Sequence, residues 1–380
     1  MNNPKKILLL DAANQNTLAI LRHLGGKGYI IDICGNQKAS LALFSKYSRK
    51  KFIINEPSKN EAGFIDDIIK ILSTEKYDLI MPVGFKSYRA CARHQDKIRE
   101  YTNLIITTNN NIELAADKRR TNEVAEQLGI PVPRTFIPLS SEEVQNLQLS
   151  FPCVVKAPFE SGKNIVEYAQ NREELLSKFN AMCAKNNFKS PDLPIVQEYI
   201  VGGGYGFFAY YDNGVCVRSF SHHRIREYPV TGGASVCAES FRDEKLKEYG
   251  KKILDHLKWN GVAMVEFKKD NADNIYKLME INPKFWGSLE LALSSGVEFD
   301  EMLIAKAANE NIPVSDEFSD TTFQWVLNGE LFHAIERPSA IPKIIGTLFR
   351  SKKDWRLFDP MPNLYQLCYV FVHYYKKLKG

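Results

Sequence analysis

Residues 261–288 read GVAMVEFKKDNADNIYKLMEINPKFWGS, and no other stretch restricts the possible folds as much. Two β-forming apolar runs, 262–267 and 275–281, flank a polar cluster containing Asp270, Asn271, Asp273 and Asn274. That pattern predicts a hairpin. Each run carries one glutamate among apolar neighbours, Glu266 and Glu280. A turn centred near Asp273 sets them opposite each other, where like charges destabilise a sheet and buried carboxylates need a partner. Asn282 follows two residues after Glu280 and shares its strand face. Two carboxylates and a carboxamide oxygen make an all-oxygen site of the kind Mg²⁺ takes, with water and phosphate oxygens completing the octahedron. Taken alone, the stretch is equally a surface hairpin with solvated glutamates.

The rest of the composition is ordinary for a globular protein, and the length suggests two or three domains or one large multi-lobed enzyme: 380 residues, 44% hydrophobic and 25% charged. Fifty basic against 45 acidic residues leave a net charge of +5, which suits an anionic small substrate and gives no argument for nucleic acid. The seven cysteines form no CxxC pair and no zinc spacing, so they are expected to be reduced core residues of a cytoplasmic protein. The apolar run near residue 8 is too short for a signal peptide. No segment approaches the roughly 18 apolar residues of a membrane span.

Along the chain, apolar runs at 5–11, 29–33, 52–55, 77–83 and 104–107 alternate with helical patterns at 17–24 and 64–72. This predicts an α/β, Rossmann-like parallel sheet over residues 1–112. The first strand–helix turn, DAANQNTLA, contains no glycine, which disfavours a nicotinamide cofactor. Residues 116–128 read as one helix stopped by Gly129 and Pro131. Strands follow at 153–156 and 195–200, a helix at 173–183, a hairpin over 207–220 turning at Asp212–Gly214, and helices at 245–257 and 298–308. From about 312 the texture changes, with Trp325, Trp355, several prolines and an aromatic, basic tail.

Five segments, taken in order, resemble the ATP-grasp superfamily, and within it the carbamoyl-phosphate-synthetase-like carboxylate–amine ligases. They are DKRRTNEVAEQLGIPVPRTF, FPCVVKAPFESGKNIV, IVQEYIVGGG, GVAMVEF and LMEINPKFWGS. The resemblance covers roughly residues 1–310. It implies a pre-ATP-grasp sheet over 1–112, a first lobe over 113–198, a second lobe over 199–311 and a mostly helical C-terminal extension over 312–380. It also implies ATP and Mg²⁺ as cofactors, with Mn²⁺ as an alternative metal. Lys118 and Lys156 match phosphate-contacting bases. Lys156, set among Cys153, Val154, Val155 and Ala157, needs an anion nearby on its own account. Ser161, Gly162 and Lys163 fall at the lid over the phosphates, here short and with a single glycine. Gln197, Glu198, Tyr199 and Ile200 match the hinge that holds the adenine. Tyr205 stands where the family usually has an acidic residue for the ribose. Glu266, Glu280 and Asn282 match the metal positions. Lys284 replaces an arginine that touches the transferred phosphate, keeping the charge but losing the fork.

The resemblance implies an ADP-forming, carbon–nitrogen bond-forming ligase acting on a small carboxylate and an amine, often as a homodimer. The alternative is an inactive nucleotide-binding sensor or scaffold. In SHHRIREY at 221–228, Arg224 and Arg226 lie two apart and are expected to share a strand face and clamp a carboxylate or acyl phosphate, with Arg224 catalytic beside Lys284. An exposed basic strand is the competing reading. His222 and His223 are expected at the surface, with an acid–base role as the alternative. The tail from Asn363 is expected to pack on the protein body, with a dimer seat or a membrane surface as the alternatives.

Overall fold

The computed structural model describes residues 5–160, 165–230 and 232–379. The chain begins with a four-stranded parallel sheet in the order Ser48–Ile53, Ile30–Gly35, Lys6–Leu9, Leu79–Met81. Alternate residues of its central strands feed two cores, Ile7, Leu9, Ile31 and Ile33 on one side and Leu8, Leu10 and Cys34 on the other. Burial on both faces is what a parallel sheet demands, and it explains the continuous apolar run. The edge strand starts at Ser48, four residues before the apolar run that predicted it. Its exposed Arg49, Lys50 and Lys51 hide a strand from a hydrophobicity reading while protecting the sheet edge.

The strand expected at 104–107 does not form. Leu104 and Ile106 are buried, but the segment makes only an isolated bridge, Leu79↔Asn103. Its carbonyls are taken by side chains instead: Leu104 accepts from Arg99, and Ile106 accepts from Asn260 Nδ2 at 3.0 Å. The helix expected over 116–128 forms as Lys118–Gln127, and a separate helix, Asn109–Ala116, precedes it. Asp117 separates the two and caps the second by accepting from Arg119 N. Lys118 is therefore the first residue of a helix whose start is tied to the segment after residue 156, with Lys118 N donating to Pro158 O at 3.0 Å.

A second sheet, in the order Thr135–Phe136, Ile195–Glu198, Cys153–Lys156, Val166–Ala169, is antiparallel throughout. Helix Arg172–Asn186 covers it through Leu175 and Phe179, packed on Cys153, Val155 and Val196. The third sheet has seven strands, in the order Tyr276–Asn282, Gly261–Asp270, Gly202–Asp212, Val215–Tyr228, Ala234–Ser240, Thr322–Gln324, Lys352–Lys353. One face carries Phe207, Tyr211, Val265 and Phe267 against helix Glu244–His256. The other carries Phe208, Tyr210, Val262 and Met264 into the core shared with the first sheet.

Helices Leu331–Glu336, Ile341–Leu348 and Pro360–Lys379 complete the chain. The last helix is strapped to the first by Arg22, which donates to Asp359 Oδ2 at 2.9 Å and to Asn363 Oδ1 at 2.9 Å. Both ends of this ion pair are nearly closed to solvent, at 8% and 3% exposure. Four cysteines are buried as expected, whereas Cys368 is exposed.

Candidate functional site

A cavity of about 1090 Å³ runs between the three sheets and the last helix. One end is built on the hairpin. The strands pair Glu266 with Glu280 and Met264 with Asn282, the register set by a turn centred near Asp273. An irregularity follows between Glu266 and Phe267. Asn282 Nδ2 donates to Glu280 Oε1 at 2.8 Å, and Lys284 Nζ donates to Asn282 Oδ1 at 3.0 Å. Arg224 Nη2 donates to Glu266 Oε2 at 2.6 Å. The two carboxylates are pushed apart in acidity. Burial lifts Glu266 above the usual carboxylate range, with Glu280 opposite adding to the rise against Arg224. Burial also acts on Glu280, but Lys118, Asn282, Lys284 and Lys156 together hold it below that range.

Lys156 ends its strand with its ammonium on Gln197 Oε1 at 2.8 Å, and Gln197 Nε2 in turn donates to Thr135 Oγ1 at 2.8 Å. Burial lowers the Lys156 pKa to about 8, with Lys118 adding repulsion and Glu280 opposing. Beyond it, Val154, Tyr168, Tyr199, Ile200 and Met279 give the cavity apolar walls suited to a flat base. Glu198 lines the cavity edge and accepts from Arg134 N at 3.1 Å. Gln197 itself is buried behind Lys156 and orients it.

Lys268 was not anticipated. It lines the cavity, and its ammonium donates to Ile200 O at 3.1 Å beneath the Tyr199 ring. The signal was available, because Met264, Glu266 and Lys268 alternate along one strand and share a face.

Three expectations need correction. Tyr205 does not line the cavity: it pairs with Phe267 in the neighbouring strand and packs on His223, Phe241 and Tyr276. Strand alternation sends Gly204 and Gly206 to the cavity side instead. Gly204 is needed there, since a Cβ would stand 2.9 Å from Arg224 Cδ. Arg224 and Arg226 do not form a common clamp. The strand is irregular between them, and Arg226 donates to buried Glu330 at 2.6 Å while Arg224 reaches Glu266. His222 is fully buried rather than superficial, its Nδ1 3.3 Å from Ser288 Oγ. Ser161, Gly162 and Lys163 lie outside the described residues.

The donor set fits Mg²⁺: two facing carboxylates and a carboxamide oxygen, all hard oxygens. Among the described residues no group of three or more His, Cys, Asp or Glu side chains is placed to hold a metal, so this pair with Asn282 is the set on offer. Arg224 and Lys284 also bring positive charge to this set.

Residues 223–328 match a family described as ATP-grasp in the biosynthetic pathway with Ter operon. A carbamoyl phosphate synthase large chain from Pseudomonas aeruginosa is 28% identical over 163 residues, 40% of this chain and 15% of that protein. The chain thus spans a small part of the curated relatives it matches. Biotin carboxylase from Campylobacter jejuni, solved as a β,γ-ATP complex, superposes with a TM-score of 0.68 at 18% identity, covering 84% of this chain and 74% of that one. The biotin carboxylase domain of Hydrogenobacter thermophilus 2-oxoglutarate carboxylase, solved with MgADP, ADP and bicarbonate, gives 0.65 at 18% identity, covering 82% and 71%. At such identities the likeness shows the fold.

Proposed function

We propose that this chain, which matches an ATP-grasp family over residues 223–328 and is similar to part of the carbamoyl phosphate synthase large chain, is an ADP-forming ligase. It activates a small carboxylate as an acyl phosphate for attack by an amine. The observation that supports this reading is the charge gathered on the hairpin: Lys284 bonded to Asn282, Arg224 to Glu266, and Glu280 held acidic by Lys118, Lys284 and Lys156, with Glu266 set opposite. Positive charge beside hard oxygen donors is what phosphoryl transfer from a triphosphate needs.

The chemistry requires a carboxylate oxygen to attack the γ-phosphorus as the bond to the β-phosphate oxygen breaks, releasing ADP. The amine then attacks the acyl carbon, a carbon–nitrogen bond forms, the carbon–oxygen bond to phosphate breaks and the amine gives up a proton. Lys118 and Lys156 position and neutralise the phosphates. Gln197 holds the Lys156 ammonium in place. Lys284 reaches the transferred phosphate and Arg224 the carboxylate or acyl phosphate. Tyr199, Ile200 and the other apolar walls exclude water around the base. Glu266, Glu280 and Asn282 would hold Mg²⁺, which would supply charge to offset the phosphates when bound.

Calorimetry with a non-hydrolysable ATP analogue, with and without Mg²⁺, tests the reading, followed by ADP release across panels of carboxylates and amines. Mg²⁺-dependent binding and acceptor-dependent ADP release are expected. Binding without turnover on any panel would turn the reading toward a nucleotide sensor. Absence of binding would remove it.

A further inference from the structure

Helix Pro360–Lys379 lines the cavity through Tyr365, Gln366 and Tyr369. Gln366 is only 5% exposed, and neither its Oε1 nor its Nε2 has a hydrogen-bond partner. Trp286 lines the same cavity at 3% exposure, its indole Nε1 equally without one. Native proteins leave few buried polar groups unpaired, so a carboxamide unsatisfied on both atoms points to a ligand. Asp11, a carboxylate of the first sheet's loops that also lines this cavity, already accepts from Val83 N, Gly84 N and Ser87 Oγ.

We propose that Gln366 belongs to an acceptor-selecting subsite for a neutral group that both donates and accepts hydrogen bonds, a carboxamide or a hydroxyl. A carboxylate would satisfy Nε2 but set negative charge against Oε1. An ammonium would satisfy Oε1 and oppose Nε2. A group with both functions answers both atoms of the carboxamide. A site built to bond such a group rejects analogues lacking it far more strongly than an apolar pocket does. Calling the occupant an acceptor substrate rests on the ligase reading; the subsite itself rests on Gln366.

Calorimetry on the full chain tests it, with L-glutamine against L-glutamate and L-serine against L-alanine as probes. The first pair reads a carboxamide and the second a hydroxyl. The carboxamide or hydroxyl member of a pair should bind at least about 10-fold tighter. Gln366→Leu should erase that difference while leaving affinity for the ATP analogue unchanged. Equal binding within both pairs overturns the subsite, as does discrimination that survives Gln366→Leu. Titration of the probes with and without nucleotide keeps the two readings separate, since failure to bind nucleotide counts against the ligase alone.

A different observation lies on the outside of the same region. Helix Ile341–Leu348 reads IPKIIGTL and buries none of its residues. Phe349, Leu357 and Phe358 are exposed by 83%, 77% and 83%, with Trp355, Met361 and Leu364 about half open. The acidic residues between them, Asp354 and Asp359, are buried and turned inward to Leu327 N and Arg22. Lys343, Arg350, Lys352, Lys353 and Arg356 are left as the charge of the segment. We infer that this face docks on an anionic lipid surface. Exposed aromatic and aliphatic tips can enter the headgroup boundary while the bases meet anionic lipid. Among the described residues no helix is long and apolar enough to cross a membrane, so the contact is peripheral.

Co-sedimentation with phosphatidylglycerol/phosphatidylcholine vesicles and with pure phosphatidylcholine vesicles tests this at low and high salt. Binding should require phosphatidylglycerol, weaken with salt and fall about 10-fold in a Phe349→Ser, Leu357→Ser, Phe358→Ser variant, whose changed residues lie outside the core. Equal sedimentation with both vesicles, or none with either, overturns the inference. So does a dimer in sedimentation velocity that the triple variant dissolves, which would assign the face to a second copy.

Discussion

The hairpin end of the cavity is charged and internally paired, whereas Gln366 and the Trp286 indole, elsewhere in its lining, are neutral and unpaired. Arg224 lies on Glu266, Lys284 on Asn282 and Lys156 on Gln197. Neither polar atom of the Gln366 side chain, nor Trp286 Nε1, has a hydrogen-bond partner among the described residues. The contrast follows from cost. A buried charge without a partner costs several kcal/mol, so a charged site must carry internal substitutes for its ligand. A buried carboxamide left open costs only about 1–3 kcal/mol per group and can be kept ready. Ligand entry at the first end is therefore an exchange of partners, and at the second an addition.

Glu280→Ala should break this contrast most severely. It removes the anion that balances Lys118, Lys156 and Lys284. ADP release should fall by about 10²–10³-fold, the loss typical of a group that organises transition-state charge. Steady-state kinetics check it. A loss as large from Gln366→Leu would mean that the two ends do not act separately.

Arg22→Ala should come next, as a loss of stability. It leaves Asp359 buried with only Ser45 Oγ and Lys46 N as partners, at 2.8 and 2.9 Å. Breaking one side of a buried pair costs about 3–5 kcal/mol. Chemical denaturation reads that cost. Because Arg22 also bonds Asn363, three residues before Gln366, acceptor discrimination should weaken while nucleotide affinity holds.

The charged end was legible in the sequence and the neutral end was not. Glu266, Glu280 and Asn282 are fixed by a local turn and a period of two, both readable without tertiary knowledge. Lys156 was readable as a charge inside an apolar strand. Tyr205 was misplaced because seven residues of spacing do not specify a strand face, and a one-residue offset reverses it. Arg226 was misassigned because an irregularity in the strand leaves no mark in SHHRIREY. The segment at 104–107 has the apolar content of a strand, but side chains from elsewhere took its carbonyls. Gln366 had no local signal, since its burial depends on docking a helix against a sheet formed more than 300 residues earlier.

Arg224→Lys sharpens the comparison within the charged end. The lysine keeps one positive charge near Glu266 but loses the planar fork that also reaches Gly233 O at 3.3 Å. The KM for the carboxylate should rise about 10-fold while affinity for the ATP analogue changes little. A fall in nucleotide affinity as large as the rise in KM would move Arg224 from the carboxylate to the phosphates.

The smallest effect concerns pH and the strap behind the neutral end. Glu290 is buried near Asp354 and Arg356, and burial with the Asp354 charge pushes it up to about 7 against Arg356. Burial pushes Asp354 up to about 6, although Leu327 and neighbouring backbone N–H groups oppose the rise. Both carboxyls therefore keep protons in the folded chain at pH values where the unfolded chain, near pH 4, has released them. Their contribution to stability is fully present below about pH 4 and is lost as pH rises through about 6 and then 7. Denaturation at about pH 5 and about pH 8 should show the protein less stable at the higher pH. Asp354→Asn, which cannot ionise and no longer lifts Glu290, should remove roughly half or more of that difference. An unchanged difference would place the pH dependence elsewhere, with the paired carboxylates Glu266 and Glu280 the first to test, and the strap would then be indifferent to the ionisation of the groups beneath it.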